Sequence, residues 1–336
     1  MKGKKMSALK IVLIVVLCFL VLIAAALVWL SSQPAVPDNY TQKVNTGGEI
    51  ESRYLQNGAY EVSYKEATVM QSFGKYEIWY PKDIESSDTR YPVVVISNGT
   101  GVKASKYPAV MEHLASWGFV VMATEEEYSW NAFGTEMCLR FAIKMNEQEQ
   151  VHDWESNPFL DKLDMEHIGV FGHSQGGVGV INAATNIEHA SMIKAVFAAS
   201  PTQPELASAL EWDYDAGKLT VPTFLMAATG KTDSETICPL AGLQKIYDSI
   251  PESTPKVMCR RNDGDHGNML YYGDGYMTAW FMYWLHGDTD AGAAFFHENA
   301  EILSNANWQD INMVSRGMLT TTYLHKCRYI SIFWEI

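Results

Sequence analysis

Ser174 sits in Gly172-His173-Ser174-Gln175-Gly176-Gly177, directly after the β-branched and aromatic run Ile168-Gly169-Val170-Phe171. A serine hydroxyl is a weak nucleophile and must be offered to a base and to a substrate together. The spacing G-x-S-x-G does this with a sharp strand-to-helix turn, a nucleophile elbow. Gly172 and Gly176 remove the Cβ atoms that would collide across such a turn. The backbone N–H of Gln175 then faces the oxygen that becomes negative in the transition state. The same residues also suit an ordinary tight turn packed on a neighbouring helix.

Two further stretches put polar side chains after apolar runs. In Thr229-Gly230-Lys231-Thr232-Asp233-Ser234-Glu235, Asp233 is the candidate acid that orients a histidine, with Glu235 as the neighbouring alternative. An aspartate here also suits capping of a helix expected from about Pro239. In Asn262-Asp263-Gly264-Asp265-His266-Gly267-Asn268, His266 is the candidate general base, because its ordinary pKa suits proton transfer near neutrality. A solvated loop histidine is the other reading. Asp263 and Asp265 read as solvated or helix-capping, and their spacing does not fit a calcium loop. His173, beside Ser174 in the chain, points away from the hydroxyl and is a pocket or packing residue. Asn98-Gly99-Thr100-Gly101 follows another apolar run, and the Thr100 N–H is the expected oxyanion partner of the Gln175 N–H. Trp130, Trp212 and Tyr214 are aromatic candidates for lining a cleft, although such residues more often pack.

These residues need a scaffold with several strand ends at one rim. Strand-like runs occur at about Tyr60 to Tyr64, Tyr76 to Tyr80, Val93 to Ile96, Phe119 to Ala123, Ile168 to Phe171, Ile193 to Ala199, Val221 to Ala227 and Lys256 to Met258. Helical spacing falls between them, at about Tyr107 to Trp117 and Gly134 to Gln150. Alternation of this kind predicts an α/β fold with a mostly parallel central sheet and helices on both faces. Val93 to Ile96 is apolar throughout, as expected of a strand covered on both faces. In such sheets reactive groups gather at the carboxyl ends of the strands. The stretch Gln203 to Lys218 is the longest irregular insertion between strands and is a candidate small cap.

The chain has 336 residues, 47% hydrophobic and 19% charged, a globular composition. A net charge of −14 argues against a nucleic-acid partner, which needs clustered Lys and Arg. Ile11 to Leu30 is a run of 20 residues without a charge, the length that spans a bilayer core as a helix. Lys2, Lys4, Lys5 and Lys10 precede it, so the N-terminus is expected in the cytoplasm and the rest outside the membrane. A cleaved signal peptide is the rival, but its apolar core is usually shorter and no clear small-x-small site follows. The expected organisation is a basic segment at 1–10, a transmembrane anchor at 11–30, a linker at 31–58, the α/β domain at 59–300 and a C-terminal extension at 301–336. The five cysteines (Cys18, Cys138, Cys238, Cys259, Cys327) contain no C-x-x-C, so a zinc or thioredoxin-like site is unsupported. Cys238 with Cys259 is one candidate disulfide, which the sequence leaves open.

The order Ser174, Asp233, His266 is that of the α/β-hydrolases. Within that superfamily, Val93 to Ile96 with Asn98-Gly99-Thr100, then Leu114-Ala115-Ser116-Trp117-Gly118-Phe119-Val120-Val121, resembles the bacterial cutinase, PET-hydrolase and chlorophyllase-like branch, related to dienelactone hydrolases. The elbow, Val221-Pro222-Thr223 with Asp233-Ser234, and His266-Gly267 with Thr278-Ala279-Trp280-Phe281 are similar to its remaining motifs. The resemblance runs from about Tyr76 to Asp288. It implies an α/β-hydrolase fold and a serine hydrolase of carboxylic esters, with Ser174, His266 and Asp233 as triad and no metal or organic cofactor. The implied substrate is a small or lipid-like ester. Polyester-degrading members of the branch carry an aromatic residue where this chain has Thr100, and they are usually secreted free. A catalytically silent binding protein, or a peptidase or amidase of the same fold, are the alternatives.

Overall fold

The computed structural model describes residues 8–69, 73–296, 298–315 and 318–320. The chain divides into two units, Met1–Ala35 and Val36–Ile336. The first contains α1, Ala8–Ser32, a helix of 25 residues. The expected span at 11–30 falls within it, but several of its side chains, and residues 1–7, lie outside the described residues. Among the described residues no helix is long and apolar enough to cross a membrane.

The second unit is built on a ten-stranded sheet. Its strands are β1 (Val62–Thr68), β2 (Lys75–Pro81), β3 (Tyr91–Ser97), β4 (Val120–Thr124), β5 (Leu163–His173), β6 (Ile193–Ala199), β7 (Thr223–Ala228), β8 (Lys256–Arg261), β9 (Trp308–Ser315) and β10 (Met318–Thr320). They lie in the order β1-β2-β4-β3-β5-β6-β7-β8-β9-β10. The run from β4 to β8 is parallel, and antiparallel pairs β1–β2 and β9–β10 flank it. The helices are α2 (Glu49–Leu55), α3 (Pro108–Ser116), α4 (Phe133–Glu147), α5 (Gln175–Asn186), α6 (Pro204–Ala209), α7 (Leu240–Ser249), α8 (Asp274–His286) and two short turns, α9 (Thr289–Gly292) and α10 (Glu301–Ser304).

The period-two geometry of strands splits the core into two layers. Val94 and Ile96 of β3, Val121 of β4 and Phe171 of β5 enter one cluster, with Leu114 of α3 and Trp280 and Phe281 of α8. Val93, Val95, Val120, Met122 and Val170 enter the other, with Leu139 of α4, Ile181 of α5 and Leu243 of α7. Each such side chain, wholly removed from water, contributes about 1.5–3 kcal/mol. Both faces of the central strands are therefore covered, and only their ends are free to do chemistry.

Three expectations need correction. Residues 36–58 are docked, not a linker: Val36, Tyr40, Tyr54 and Leu55 are buried in the same cluster as α3 and α8. The prolines and glycines there read locally as a spacer, while the partners that hold the segment lie far along the chain. Glu301 caps α2 by accepting from the N–H groups of Ile50 and Glu51 at 2.6 and 2.8 Å. Buried Glu51 accepts from Arg261 Nη1 at 3.0 Å and Trp308 Nε1 at 2.8 Å. Likewise, residues 301–315 belong to the domain, since β9 pairs antiparallel with β8. Residues 321–336 of the expected extension lie outside the described residues. Finally, Cys238 and Cys259 are free buried thiols, and they belong to opposite layers of the core, so the sheet separates them. Cys327 lies outside the described residues.

Candidate active site

β5 delivers Ser174 to the rim of the sheet, and α5 leaves from it one residue later. Ser174 has φ 60° and ψ −121°, a conformation L-residues rarely adopt. Such a residue costs on the order of 1–3 kcal/mol and persists only where its surroundings enforce it. Here the glycines enforce it. A Cβ on Gly172 would stand 2.0 Å from the Gly176 carbonyl oxygen, and one on Gly176 would stand 2.0 Å from that of Ser97. The Ser174 N–H donates to the Ala199 carbonyl at 2.9 Å, tying the turn to the end of β6.

The three side chains singled out from the sequence meet. Ser174 Oγ lies 2.9 Å from His266 Nε2, and His266 Nδ1 lies 2.6 Å from Asp233 Oδ1. A carboxylate only accepts, so Nδ1 carries the proton and Nε2 is the free acceptor facing the hydroxyl. The Asp233 side chain is fully buried, while that of His266 keeps 18% of its exposure. Glu235, the alternative acid, is instead an exposed partner of Lys231 at 3.9 Å.

His173 is buried, and its ring lies against that of His266 with centroids 4.6 Å apart. His173 Nε2 bonds the His266 carbonyl oxygen at 2.8 Å, so Nε2 carries the hydrogen. Burial, and then the nearby His266, push its pKa down to about 3. It is thus a neutral prop against the His266 ring. Trp130 is half-buried, and its carbonyl accepts from Asn182 Nδ2 at 2.8 Å. Among the described residues no hydrogen bond or ring contact ties it to the triad. Asn182 also bonds the Asp213 carbonyl at 3.1 Å. The candidate cap is stitched sideways: Tyr214 donates to the Thr202 carbonyl at 2.9 Å, and Gln203 bonds Thr236 and Ile237.

The loop after β3 approaches the elbow from the other side. A Cβ on Gly99 would stand 3.4 Å from the His173 carbonyl oxygen and 3.7 Å from Ser174 Cβ. Buried Asn98 fixes this loop to the end of β4, donating to the carbonyls of Thr124 and Glu126 at 2.7 and 2.6 Å and accepting from the Tyr107 hydroxyl. The Gly101 N–H is used by the Glu127 carbonyl at 2.9 Å. Among the described residues the N–H groups of Thr100 and Gln175 have no protein acceptor. Glu126, in the same loop cluster, has its carboxyl pKa raised to about 7 by burial.

A family profile described as PET hydrolase-like matches residues 41–310. The chain belongs to this family. It is 27% identical over 220 residues to cutinase est1 of Thermobifida alba, covering 63% of this chain and 64% of the relative. It is 28% identical over 224 residues to cutinase 1 of Thermobifida cellulosilytica, covering 62% of this chain and 72% of the relative. Similarity extends to the bis(hydroxyethyl) terephthalate hydrolase of Streptomyces coelicolor, 26% over 199 residues, with 58% and 56% coverage. The chain thus spans less than two thirds of the length of two of these three relatives.

Two residues of this PET hydrolase-like chain escaped the reading of the sequence. Ser200, wholly buried, donates its hydroxyl to Asp233 Oδ2, which also accepts from the Ala228 N–H at 2.8 Å. It is the first polar residue after β6, a position that a search of every strand end would have found. Asp265 bonds both the acid loop and the histidine loop, and no local pattern announces this. One group of described side chains has ligand atoms within 4.8 Å of one another, as a cation would need: Glu136, Glu188 and His189. Arg140 already bridges its two carboxylates. A recess of about 680 Å³, lined by Met165, His167, Met192, Lys194, Val221 and Trp284, lies at the amino ends of β5, β6 and β7, away from the triad.

Proposed function

We propose that this chain is a serine hydrolase of carboxylic esters that works through an acyl-enzyme. The observation that carries the reading is the line from Ser174 Oγ through His266 to Asp233, with contacts of 2.9 and 2.6 Å. His266 Nε2 takes the hydroxyl proton as Ser174 attacks the ester carbonyl, then gives it to the departing alcohol. Asp233 holds the Nδ1 proton and stabilises the imidazolium that forms. The N–H groups of Thr100 and Gln175 donate to the oxygen that becomes negative. Water, activated by the same base, then releases the acid. The relatives named as cutinases and as a terephthalate ester hydrolase support an ester over an amide. Exposed Thr100 stands where polyester-degrading members of the family carry an aromatic residue, which favours a small or lipid-like ester over a flat polymer.

Ser174→Ala tests this. It is expected to lower p-nitrophenyl acetate hydrolysis by about 10⁴-fold or more with the fold intact. A fluorophosphonate probe is expected to label the wild type and not the variant. Turnover retained in the variant overturns the reading, and a wild type that resists the probe favours a silent binding protein.

The proposal includes a membrane anchor at 11–30 with the domain outside the cytoplasm. Its support is the uncharged run behind Lys2, Lys4, Lys5 and Lys10. The chain is expected to stay with membranes through alkaline carbonate extraction, and release into the supernatant removes the anchor from the proposal.

A further inference from the structure

Asp265 is half-buried, and its carboxylate takes four donors from Thr232, Asp233 and His266. Oδ1 accepts from the N–H groups of His266 at 2.8 Å, Thr232 at 2.9 Å and Asp233 at 3.2 Å. Oδ2 accepts from the Thr232 hydroxyl at 2.8 Å. Two of these donors belong to the residues that form the acid–base pair, Asp233 and His266. The other two belong to Thr232, the residue before the acid. The Asp265 N–H in turn donates to Asn268 Oδ1 at 3.0 Å, closing a capping box on the turn at His266–Leu270. The two loops are pressed together at this point. A Cβ on Gly230 would stand 2.5 Å from Asp265 Cβ and 2.6 Å from the Gly264 carbonyl oxygen. The Gly230 N–H donates to that same carbonyl at 2.9 Å.

We propose that Asp265 is a positioning residue: its single carboxylate fastens the loop that carries the acid to the loop that carries the base. It thereby holds His266 Nδ1 against Asp233 Oδ1. This rests on the ester-hydrolase reading above. Neither loop is held in this register by the sheet, because β7 ends at Ala228 and β8 at Arg261. Beyond those residues Thr229 and Gly230 still bond Arg261, Asn262 and Gly264 near the loop bases, and next to the acid and the base themselves the bonds to Asp265 cross the gap. Charge is not what the bridge needs. All three N–H donors meet one oxygen, so an asparagine oxygen can replace it, and the amide can donate to a turned Thr232 hydroxyl. Alanine removes every bond this carboxylate makes and leaves the Gly230 N–H to Gly264 carbonyl bond.

The test compares Asp265→Ala, Asp265→Asn and Thr232→Val with the wild type in the full-length chain. Misplacing a base by a fraction of an ångström to an ångström is costly, so Asp265→Ala is expected to lower kcat by about 10- to 100-fold with KM within about twofold. Asp265→Asn is expected to stay within about threefold of the wild-type kcat. The low-field proton resonance of His266 Nδ1–H is expected to move or broaden in Asp265→Ala and to be kept in Asp265→Asn. An Asp265 that merely caps its turn would lower Tm and leave both kcat and that resonance unchanged. That outcome, a loss confined to KM, or an equal loss in Asp265→Asn overturns the proposal. Should Asp265→Ala not fold, Thr232→Val cuts only the hydroxyl link and is expected to lower kcat about two- to fivefold; an unchanged kcat there overturns it. Ser174→Ala in the same assay separates the two readings. If that variant is inert while Asp265→Ala is fully active, the positioning role fails and the hydrolase reading stands.

Discussion

Asp233–His266 and Asp274–His113 are the same two side chains at similar separations, 2.6 and 2.8 Å, with both aspartates fully buried. Each aspartate also takes a hydroxyl, from Ser200 in the first pair and from Tyr40 in the second. The pairs differ in what the imidazole does with its other nitrogen. His266 Nε2 faces the Ser174 hydroxyl at a rim where the ring keeps 18% of its exposure. His113 Nε2 lies 2.9 Å from the Gln56 carbonyl oxygen, and its side chain is 1% exposed. A carbonyl can only accept, so Nε2 of His113 must donate, and it faces no substrate. Burial alone pushes the His113 pKa down, but the Asp274 charge and the backbone carbonyl outweigh it, and the net shift is upward. His113 thus turns both nitrogens inward, one beside Asp274 and one on the carbonyl of Gln56 in the segment 36–58, whereas His266 presents its Nε2 lone pair to the Ser174 hydroxyl. A carboxylate beside an imidazole is therefore no sign of catalysis until the far nitrogen is followed.

Exchanging the imidazoles should break the comparison most forcefully. His266→Ala is expected to lower ester turnover by about 10⁴-fold or more while Tm changes little. His113→Ala is expected to leave turnover within about threefold and to cost about 3–5 kcal/mol of stability, because it strands a buried carboxylate. Turnover assays and denaturant unfolding on both variants check this. If His113→Ala silences a folded enzyme, the two pairs are not independent.

Removing the hydroxyl donors should give a smaller version of the same contrast. Ser200→Ala takes one of two donors from Asp233 Oδ2 and is expected to lower kcat about 3- to 10-fold. Tyr40→Phe takes the matching donor from Asp274 and is expected to cost about 1.5–3 kcal/mol with no change in rate.

The smallest effect is the one read from pH. The folded His113 pKa lies above its ordinary value, so its contribution is complete below about pH 6.5 and is lost as pH rises through the folded value. The stability difference between the wild type and His113→Gln should therefore narrow as the solution is made alkaline. A difference that widens would mean that His113 is neutral in the fold.

The parts of this molecule that were legible in the sequence are those encoded by near neighbours. The elbow glycines, the alternating apolar runs and the order of Ser174, Asp233 and His266 all reflect turn sterics and strand periodicity, which act over a few residues. The strands at Val93 to Ile96 and Ile193 to Ala199 came out nearly to the residue for that reason. The stretch 31–58 did not, because its polar spacing says nothing of Arg261, Trp308 or Glu301, the groups that satisfy it. The candidate pairing of Cys238 with Cys259 was equally invisible as an error until the sheet was seen to stand between them.

Sequence by itself determined the chemistry on offer: a serine in a strained turn, with an acid and a base after later strands. Tertiary structure decided which of two carboxylate–imidazole pairs faces a serine hydroxyl and which a backbone carbonyl, and that Asp265 bonds both loops. The reason is physical. A side chain's type and local turn are written in adjacent residues, but whether its last free nitrogen or oxygen meets a carbonyl, a hydroxyl or water depends on partners such as Tyr40 and Asp274, 234 residues apart.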